Sequence, residues 1–295
     1  MFRKIFPGVI TRLLSQIKKD LDFNRDLYNL IEVLKQIAIA QYHILEKKLR
    51  TFDKIFFALD SFFSMIDASK TDNPLLNTTG RAPGVIAVTS DAGLLGGLNM
   101  QVMNLAIKEV QETGGKLIIV GEKGQAYAAD SKISHVTFKG VVDETRFKQA
   151  QEIRDYIFNE EINKRLGALK VVYPVALSAV AQKVQIMQLL PFSVSTSANK
   201  EESAAVGFKD MIMESKEEDV VSYLFYLLLG HKINEIFGLA RLAELSARFS
   251  HLETSKTKIE QLNKDLRLQY FRQRHEIIDR NMRELFAARI VFSNS

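Results

Sequence analysis

VIAVTSDAGLLGGLNM, residues 85–100, holds the turn that decides the fold of the central part of this chain. Its first five residues, Val85–Thr89, form an apolar β-type run, and helix-forming residues resume at Met100. Between them lie Asp91 and three glycines, which permit positive φ and close backbone approach. The stretch therefore predicts a strand, a tight turn and a helix, the unit from which α/β domains are built.

The same turn lacks the residues with which two common nucleotide-binding loops hold phosphate. A P-loop needs Lys and Ser or Thr after its last glycine, because these side chains reach the phosphates and Mg²⁺. Segment 93–99 (GLLGGLN) has neither. The dinucleotide fingerprint G-x-G-x-x-G also fails, since the glycine spacing differs. The sequence predicts a structural turn that binds no phosphate.

Outward from the turn, short β-type runs alternate with helical segments from Arg81 to about Phe208. The predicted strands are Val85–Thr89, Leu117–Val120, His135–Phe138, Lys170–Val172 and Val184–Leu189, and the predicted helices are Met100–Glu112 and Arg146–Asn163. This alternation predicts a compact α/β domain over residues 81–208. The polar, charged segment 200–219 would lead out of it.

Helical periodicity dominates both ends of the chain. Apolar residues recur every three or four positions from Val9 to Ile66 and again from Asp219 to Ile290, without an internal proline. Two such helices can bury their stripes on each other as an antiparallel coiled coil, although periodicity alone fits an ordinary helical bundle equally well. The predicted fold class is α+α/β: long helices over residues 1–70 and 219–295 form an antiparallel coiled coil, with the α/β domain inserted between them.

Composition excludes several classes of site. The 295 residues include no cysteine, which rules out disulfides, thiolate metal sites and cysteine nucleophiles. The net charge of +5 is spread among acidic residues, which argues against a nucleic-acid surface. The most apolar run, Val220–Leu229, has about half of the ~20 residues that a membrane-spanning helix needs. The basic, acid-free residues 1–19 would also suit a mitochondrial presequence, for which no cleavage signal is visible.

No group of residues indicates catalysis. The five histidines are scattered, without the spacing of a metal site: His43, His135, His231, His251 and His275. The G-x-S-x-G nucleophile elbow is absent, and acidic residues alternate with basic ones along helix faces, as is typical of solvated surfaces. The sequence predicts no catalytic residue, no metal and no cofactor.

Several segments resemble the gamma subunit of F-type ATP synthases, the central stalk of a rotary motor. Residues 90–99 (SDAGLLGGLN) resemble the family's S-D-R-G-L-C-G-G-L-N. The other matches follow in chain order: 120–124 (VGEKG) with I-G-x-K-G, 188–191 (QLLP) with Q-L-L-P, 213–215 (MES) near an E-P-S-like step, 243–248 (AELSAR) with S-E-x-A-A-R, and 268–274 (LQYFRQR) with L-x-Y-N-x-x-R-Q. The resemblance covers nearly the whole chain.

The chain also departs from that family. Ala92 stands where the family has Arg, and Leu95 where it often has Cys. In segment 30–41, Glu32 and Gln41 replace two lysines of I-T-K-A-M-x-M-V-A-x-x-K, and residues 274–282 (RHEIIDRNM) differ from R-Q-x-x-I-T-x-E-L. These positions carry rotor-to-stator contacts in the family. The departures indicate a remote branch whose surrounding subunits have changed too.

The resemblance implies a non-catalytic rotor subunit that transmits torque between a membrane ion-driven ring and a catalytic head. The implied partners are the alpha/beta ring, a small epsilon-like stalk subunit and the membrane c-ring, with no nucleic acid and no cofactor. The candidate rotor-to-stator contacts are Arg272, Arg274, His275, Asp279, Arg280, Arg283, Glu284 and Arg289, and the signature turn comprises Ser90, Asp91, Gly93, Gly96, Gly97 and Asn99. The implied location is peripheral, on the cytoplasmic side of a bacterial plasma membrane, with the mitochondrial inner membrane as the alternative.

Three alternative functions stay open, of which the enzyme and the adaptor fit the residues less completely. A rotor of a specialised F-type-like ATPase would share every motif above. An enzyme built on the α/β domain would use the long helices for dimerisation and would bind a nucleotide or substrate alone. A coiled-coil adaptor, held at a membrane by the basic start, would form a homodimer and bind lipid.

Overall fold

The computed structural model describes residues 7–49, 80–131, 133–162, 166–191 and 217–293. In chain order, the helices and strands of these ranges are α1 (Pro7–Leu49), β1 (Gly84–Val88), α2 (Leu98–Thr113), β2 (Lys116–Val120), α3 (Glu122–Ser131), β3 (His135–Phe138), α4 (Arg146–Ile162), β4 (Leu169–Ala176), β5 (Gln182–Leu190) and α5 (Glu217–Ser293). The predicted continuation of the first helix to Ile66, the domain end at 192–208, the segment 200–216 with its MES step and the first six residues lie outside the described residues.

The five predicted strands are confirmed, and they form one sheet of order β3-β2-β1-β4-β5. β1 pairs in parallel with β2 and β4, and β2 with β3, whereas β5 runs antiparallel to β4. β4 and β5 are longer than predicted. Pro174 ends the apolar run of β4 in the sequence, but the strand continues because β5 pairs with it up to Ala176.

The predicted helices α2 and α4 are confirmed to within two residues at each end, whereas α3 was not predicted. Gly124 near its start and the Asp130-Ser131 pair at its end lower its helix propensity. Gly124 is required there by packing, since a Cβ atom at this position would lie 2.5 Å from Thr89 Oγ1. Tertiary contact with the end of β1 therefore outweighs local propensity in this segment.

The strands of the sheet send alternate side chains to two different helical layers. Ile86 and Val88 of β1 face a cluster that includes α4 and α5, while Val85 and Ala87 face a cluster with α2 and α3. The α5 residues of the first cluster are Phe225, Leu228, Leu229, Ile233, Ile236, Phe237 and Ala240. The first part of the long C-terminal helix is thus a core element of the α/β domain.

The described residues group into two compact units. Ala38–Ser250 contains the sheet and its helices, and Met1–Ile37 with His251–Ser295 contains the helix pair. In the helix pair, Asn24 of α1 contacts Asn263 of α5, and Lys35 contacts Glu253. From the first contact to the second, the residue number rises on α1 and falls on α5. The two helices therefore run antiparallel in this unit, as predicted.

The buried seam of this pair follows a heptad rule, alternating steps of four and three residues. On α1 it passes through Asn24, Tyr28, Ile31 and Lys35, and on α5 through Leu252, Lys256, Ile259 and Asn263. The apolar periodicity in the sequence identified Ile31 and Ile259 but passed over the polar members. Among the helices described, none is long and apolar enough to cross a membrane.

Replacing Phe237 by alanine tests whether α5 belongs to the core of the α/β domain. Its side chain is 1% exposed and packs against the sheet. We expect a loss of about 3–5 kcal/mol in the free energy of unfolding of the full chain, measured by urea denaturation. The control is Phe286→Ala on the same helix, where the side chain is 59% exposed. Equal losses in both variants would contradict this packing.

Candidate functional site

The signature turn connects the end of β1 to the start of α2 through residues in the left-handed region. Leu94, Gly96 and Gly97 have φ values of 63°, 58° and 92°. Gly97 immediately precedes Leu98, the first residue of α2, and no side chain caps this helix at its start. The glycines therefore meet a backbone requirement, since residues with a Cβ atom rarely adopt these angles.

The two ends of the signature, Ser90 and Asn99, are hydrogen-bonded to each other. The Asn99 side-chain amide donates to Ser90 Oγ at 2.9 Å, and the Ser90 backbone N–H donates to Asn99 Oδ1 at 3.2 Å. Ser90 Oγ in turn donates to the Ala92 carbonyl at 2.9 Å. These bonds close the loop on itself and explain why serine and asparagine flank the glycines.

Asp91 links this turn to the two neighbouring loops at the same edge of the sheet. Its carboxylate accepts hydrogen bonds from the backbone N–H of Glu122, at 2.7 Å, and of Gly140, at 3.1 Å. Glu122 begins α3, so the carboxylate lies where a helix N-terminus would attract an anion. A carboxylate of the chain itself thus takes the amides that could have bound phosphate at this edge.

Gly97→Ala tests the backbone requirement of the turn. No atom lies within 4 Å of the added Cβ, so the positive φ alone should cost about 1–2 kcal/mol of unfolding free energy. Gly93→Ala is the matched control, because that position is equally open and has no positive φ. Chemical denaturation of the full chain measures both variants. An equal response would mean that the φ at residue 97 is not constrained.

The AELSAR segment, residues 243–248, lies on α5 and packs directly against the signature turn. Ala247 is buried in a cluster with Leu95 and Leu98. The Ser246 hydroxyl donates to the carbonyl of Ser178, in the β4–β5 hairpin, at 2.8 Å. Two motifs that lie about 150 residues apart in the sequence therefore form one structural site in the α/β unit.

Glu244, in the same segment, is almost fully buried and pairs with Arg241. The Arg241 guanidinium contacts Glu244 at 2.7 Å and Asp143, in the loop between β3 and α4, at 3.4 Å. Burial raises the pKa of Glu244 to about 7, and the opposing attraction of Arg241 only partly offsets this. Arg241 and Asp143 belong to no motif in the sequence, and their role is visible only in the fold.

Glu244 should make stability depend on pH. Its pKa lies above the ordinary value of 4.5, so the folded chain holds this proton more tightly than the unfolded chain. Its contribution to the free energy of unfolding is therefore most favourable below pH 4.5. That contribution decreases by about 3 kcal/mol as the pH rises from 4.5 to 7. The difference in unfolding free energy between wild type and Glu244→Gln should follow this window. Glu112→Gln, an exposed control on α2, should show no such trend, and a flat difference for Glu244→Gln would contradict the assignment.

The structure spreads the eight C-terminal contact candidates around α5 rather than on one face. Seven of them are exposed: Arg272, Arg274, His275, Asp279, Arg283, Glu284 and Arg289. Arg280 is half-buried. It lies three heptads, or 21 residues, after Ile259, on the stripe of α5 that forms the seam with α1. Arg272, Asp279 and Arg283 share one stripe by helical spacing, whereas Arg274 and Arg289 lie on other sides.

A second apolar stripe on α5 is exposed. In the sequence, its residues cannot be told apart from those of the buried seam. Its members are Leu268, Phe271, Ile278, Met282 and Leu285, each between 47% and 67% exposed. His275 and Arg289 continue the same steps of three and four residues. The signal was present in the sequence as a second heptad phase, which only the burial pattern distinguishes from the first.

The chain is similar to known proteins over most of its length. The family described as ATP synthase matches residues 14–289. The ATP synthase gamma chain of Mycoplasmopsis synoviae (strain 53) is 27% identical over 205 residues, 68% of this chain and 70% of that protein. The gamma chain of Mycoplasmopsis pulmonis (strain UAB CTIP) is 23% identical over 272 residues, 88% of this chain and 95% of its own length.

Solved structures show the same fold. A chain from the rotor of the Euglena gracilis mitochondrial ATP synthase, in rotational state 1, has a TM-score of 0.64 at 18% identity and covers 91% of this chain and 99% of its own. A chain from the OSCP/F1/c-ring of that synthase, in rotational state 3, has a TM-score of 0.66 at 15% identity and covers 96% and 95%.

Proposed function

The chain belongs to the ATP synthase gamma family, whose members are non-catalytic central-stalk subunits, and we propose how its two units divide the work of a rotor. The α/β unit, Ala38–Ser250, is the foot that docks on the membrane c-ring and on a small epsilon-like subunit. The helix pair is the shaft tip that turns inside the alpha/beta ring. Torque passes between them during ATP synthesis or hydrolysis.

The observation that supports this division is the double role of α5. Residues such as Phe225 and Phe237 are buried in the sheet-facing core, and Leu252 and Ile259 of the same helix are buried in the pair with α1. A helix integrated into two cores cannot turn in one of them without disrupting buried contacts. α5 is therefore the element that transmits rotation.

The exposed surface of α5 supports a sliding contact rather than a fixed one. Isolated exposed charges such as Arg272, Asp279 and Arg283 contribute only about 0–1 kcal/mol each, which allows contacts to form and break as the shaft turns. The exposed apolar stripe ending at Met282 and Leu285 would lie in the apolar bearing of the ring. Arg280, half-buried on the seam stripe, would instead support the helix pair.

The two gamma chains of similar sequence, from Mycoplasmopsis synoviae and Mycoplasmopsis pulmonis, are bacterial, which supports a bacterial complex at a membrane. We place the chain on the cytoplasmic face, peripheral to the membrane, as part of the head and stalk. The hydrogen-bonded Asp91 at the sheet edge disfavours the alternative of a nucleotide-binding α/β enzyme.

Purification of the tagged full chain from its source at low salt tests this function. We expect it to carry several large nucleotide-binding subunits and an ATPase activity that the isolated chain lacks. Isolation of a homodimer that binds lipid would instead identify the coiled-coil adaptor, and ATP binding by the chain alone would identify the enzyme.

Met282→Asp with Leu285→Asp tests the apolar bearing within the assembled complex. Burying two carboxylates in an apolar ring is unfavourable, so we expect ATPase activity to fall at least about tenfold, a barrier increase of about 1.4 kcal/mol. The control is Leu262→Asp, which is 49% exposed on α5 but lies outside the stripe. Wild-type activity in the double variant would exclude this stripe from the bearing.

A further inference from the structure

We propose that polar contacts within the helix pair fix the register of α1 against α5: the hydrogen bond between Asn24 and Asn263, and the ion pairs that join Glu32, Lys35, Glu253 and Lys256. All six residues lie in the unit formed by Met1–Ile37 and His251–Ser295. The inference concerns the pairing itself and does not depend on the proposed function.

The apolar contacts of this unit do not specify one register. Ile31, Leu252 and Ile259 form its buried cluster; Leu252 and Ile259 are one heptad apart, and the buried Ile17 lies two heptads before Ile31. A heptad seam that slides by seven residues brings apolar positions back against apolar positions. Apolar packing therefore determines which faces meet, while another interaction must determine where along the helices they meet.

The asparagine pair supplies one such interaction. Asn24 is 7% exposed, and its side-chain amide donates to Asn263 Oδ1 at 3.0 Å. A slip of one heptad would place Asn263 opposite Ile17 or Ile31, neither of which has a side-chain hydrogen-bonding group. Buried amides that lose their partner are destabilising, and a single buried asparagine is known to select register in coiled coils.

The charged group supplies the second interaction. Glu32 Oε2 lies 2.8 Å from Lys256 Nζ across the pair and 3.0 Å from Lys35 Nζ on its own helix. Lys35 Nζ also lies 2.9 Å from Glu253 Oε2, and only 11% of the Lys35 side chain is exposed. The ammonium groups of Lys256 and Lys35 hold the pKa of Glu32 at about 2.

The signs of these charges oppose displacement. A slip of one heptad toward the start of α1 would bring Lys256 beside Arg25, placing two cations together. Glu32 occupies a position where the family motif has lysine, and a lysine there would face Lys35 and Lys256. The acid that departs from the motif therefore pairs with two cations of the chain itself.

Distances between two spin labels measure the register directly, since the chain has no cysteine of its own. Cysteines replace Leu30 on α1 and Lys258 on α5, both exposed, and electron–electron double resonance is recorded on the full chain. A slip of one heptad shifts one helix by about 10 Å. We expect one narrow distribution in the otherwise unchanged chain.

The test variant combines Asn24→Leu and Asn263→Leu with alanine at Glu32, Lys35, Glu253 and Lys256, which removes every polar contact named above, including the Lys35–Glu253 pair. It retains an apolar seam and should keep helical circular dichroism. We expect a second population at a longer distance, because the labels lie level in the parent pair and an axial slip can only increase their separation, or a distribution at least twice as broad. A single distance equal to that of the parent would overturn the proposal, because the register would then be set elsewhere in the chain.

Charge reversal distinguishes a specific ion pair from a general loss of stability. Glu32→Lys alone leaves three cations with one acid and should broaden the distribution or unfold the pair. Adding Lys256→Glu restores two acids and two cations and should restore the parent distance. Failure of the double variant to recover would overturn the role of Glu32 and Lys256. The control swap, Lys108→Glu with Glu112→Lys on α2, should change nothing, because that pair is exposed and lies within one helix.

Discussion

The packing of the first part of α5 on the sheet is the constraint on which the rest of the structure depends. Large side chains such as Phe225, Ile233 and Phe237 are at most 3% exposed, and each contributes about 1.5–3 kcal/mol when it leaves water. This burial commits the helix to the α/β core. Later residues of the same helix pair with α1.

Hydrogen bonds and ion pairs join particular residues in each unit, in addition to the apolar packing. In the α/β unit, Asp91 joins three loops at one sheet edge, and Ser246 ties α5 to the β4–β5 hairpin. In the helix pair, Asn24 and Glu32 meet partners on α5. In both units, apolar contacts bring the faces together, and hydrogen bonds and charges join particular residues across them.

The sequence was sufficient for all five strands and for the long terminal helices, because each rests on local periodicity. The antiparallel pairing of those helices did not follow from periodicity alone, which fits an ordinary helical bundle equally well. The sequence did not indicate α3, since Gly124 is required by contact with Thr89 rather than by propensity. It also missed Arg241 and Asp143, which meet only after folding. The contact candidates lie on the C-terminal helix, and chain position could not distinguish the half-buried Arg280 from its exposed neighbours. Their contacts with other subunits stay a prediction.

Rotation of the α/β unit within an immobilised complex would test the rotor function most directly. A cysteine at Lys108, exposed on α2, would attach a visible probe to this unit, and the alpha/beta ring would be fixed to a surface. A rotor in which α5 transmits torque predicts continuous rotation of the probe in one direction on addition of ATP. Sustained ATP hydrolysis with a stationary probe would contradict it.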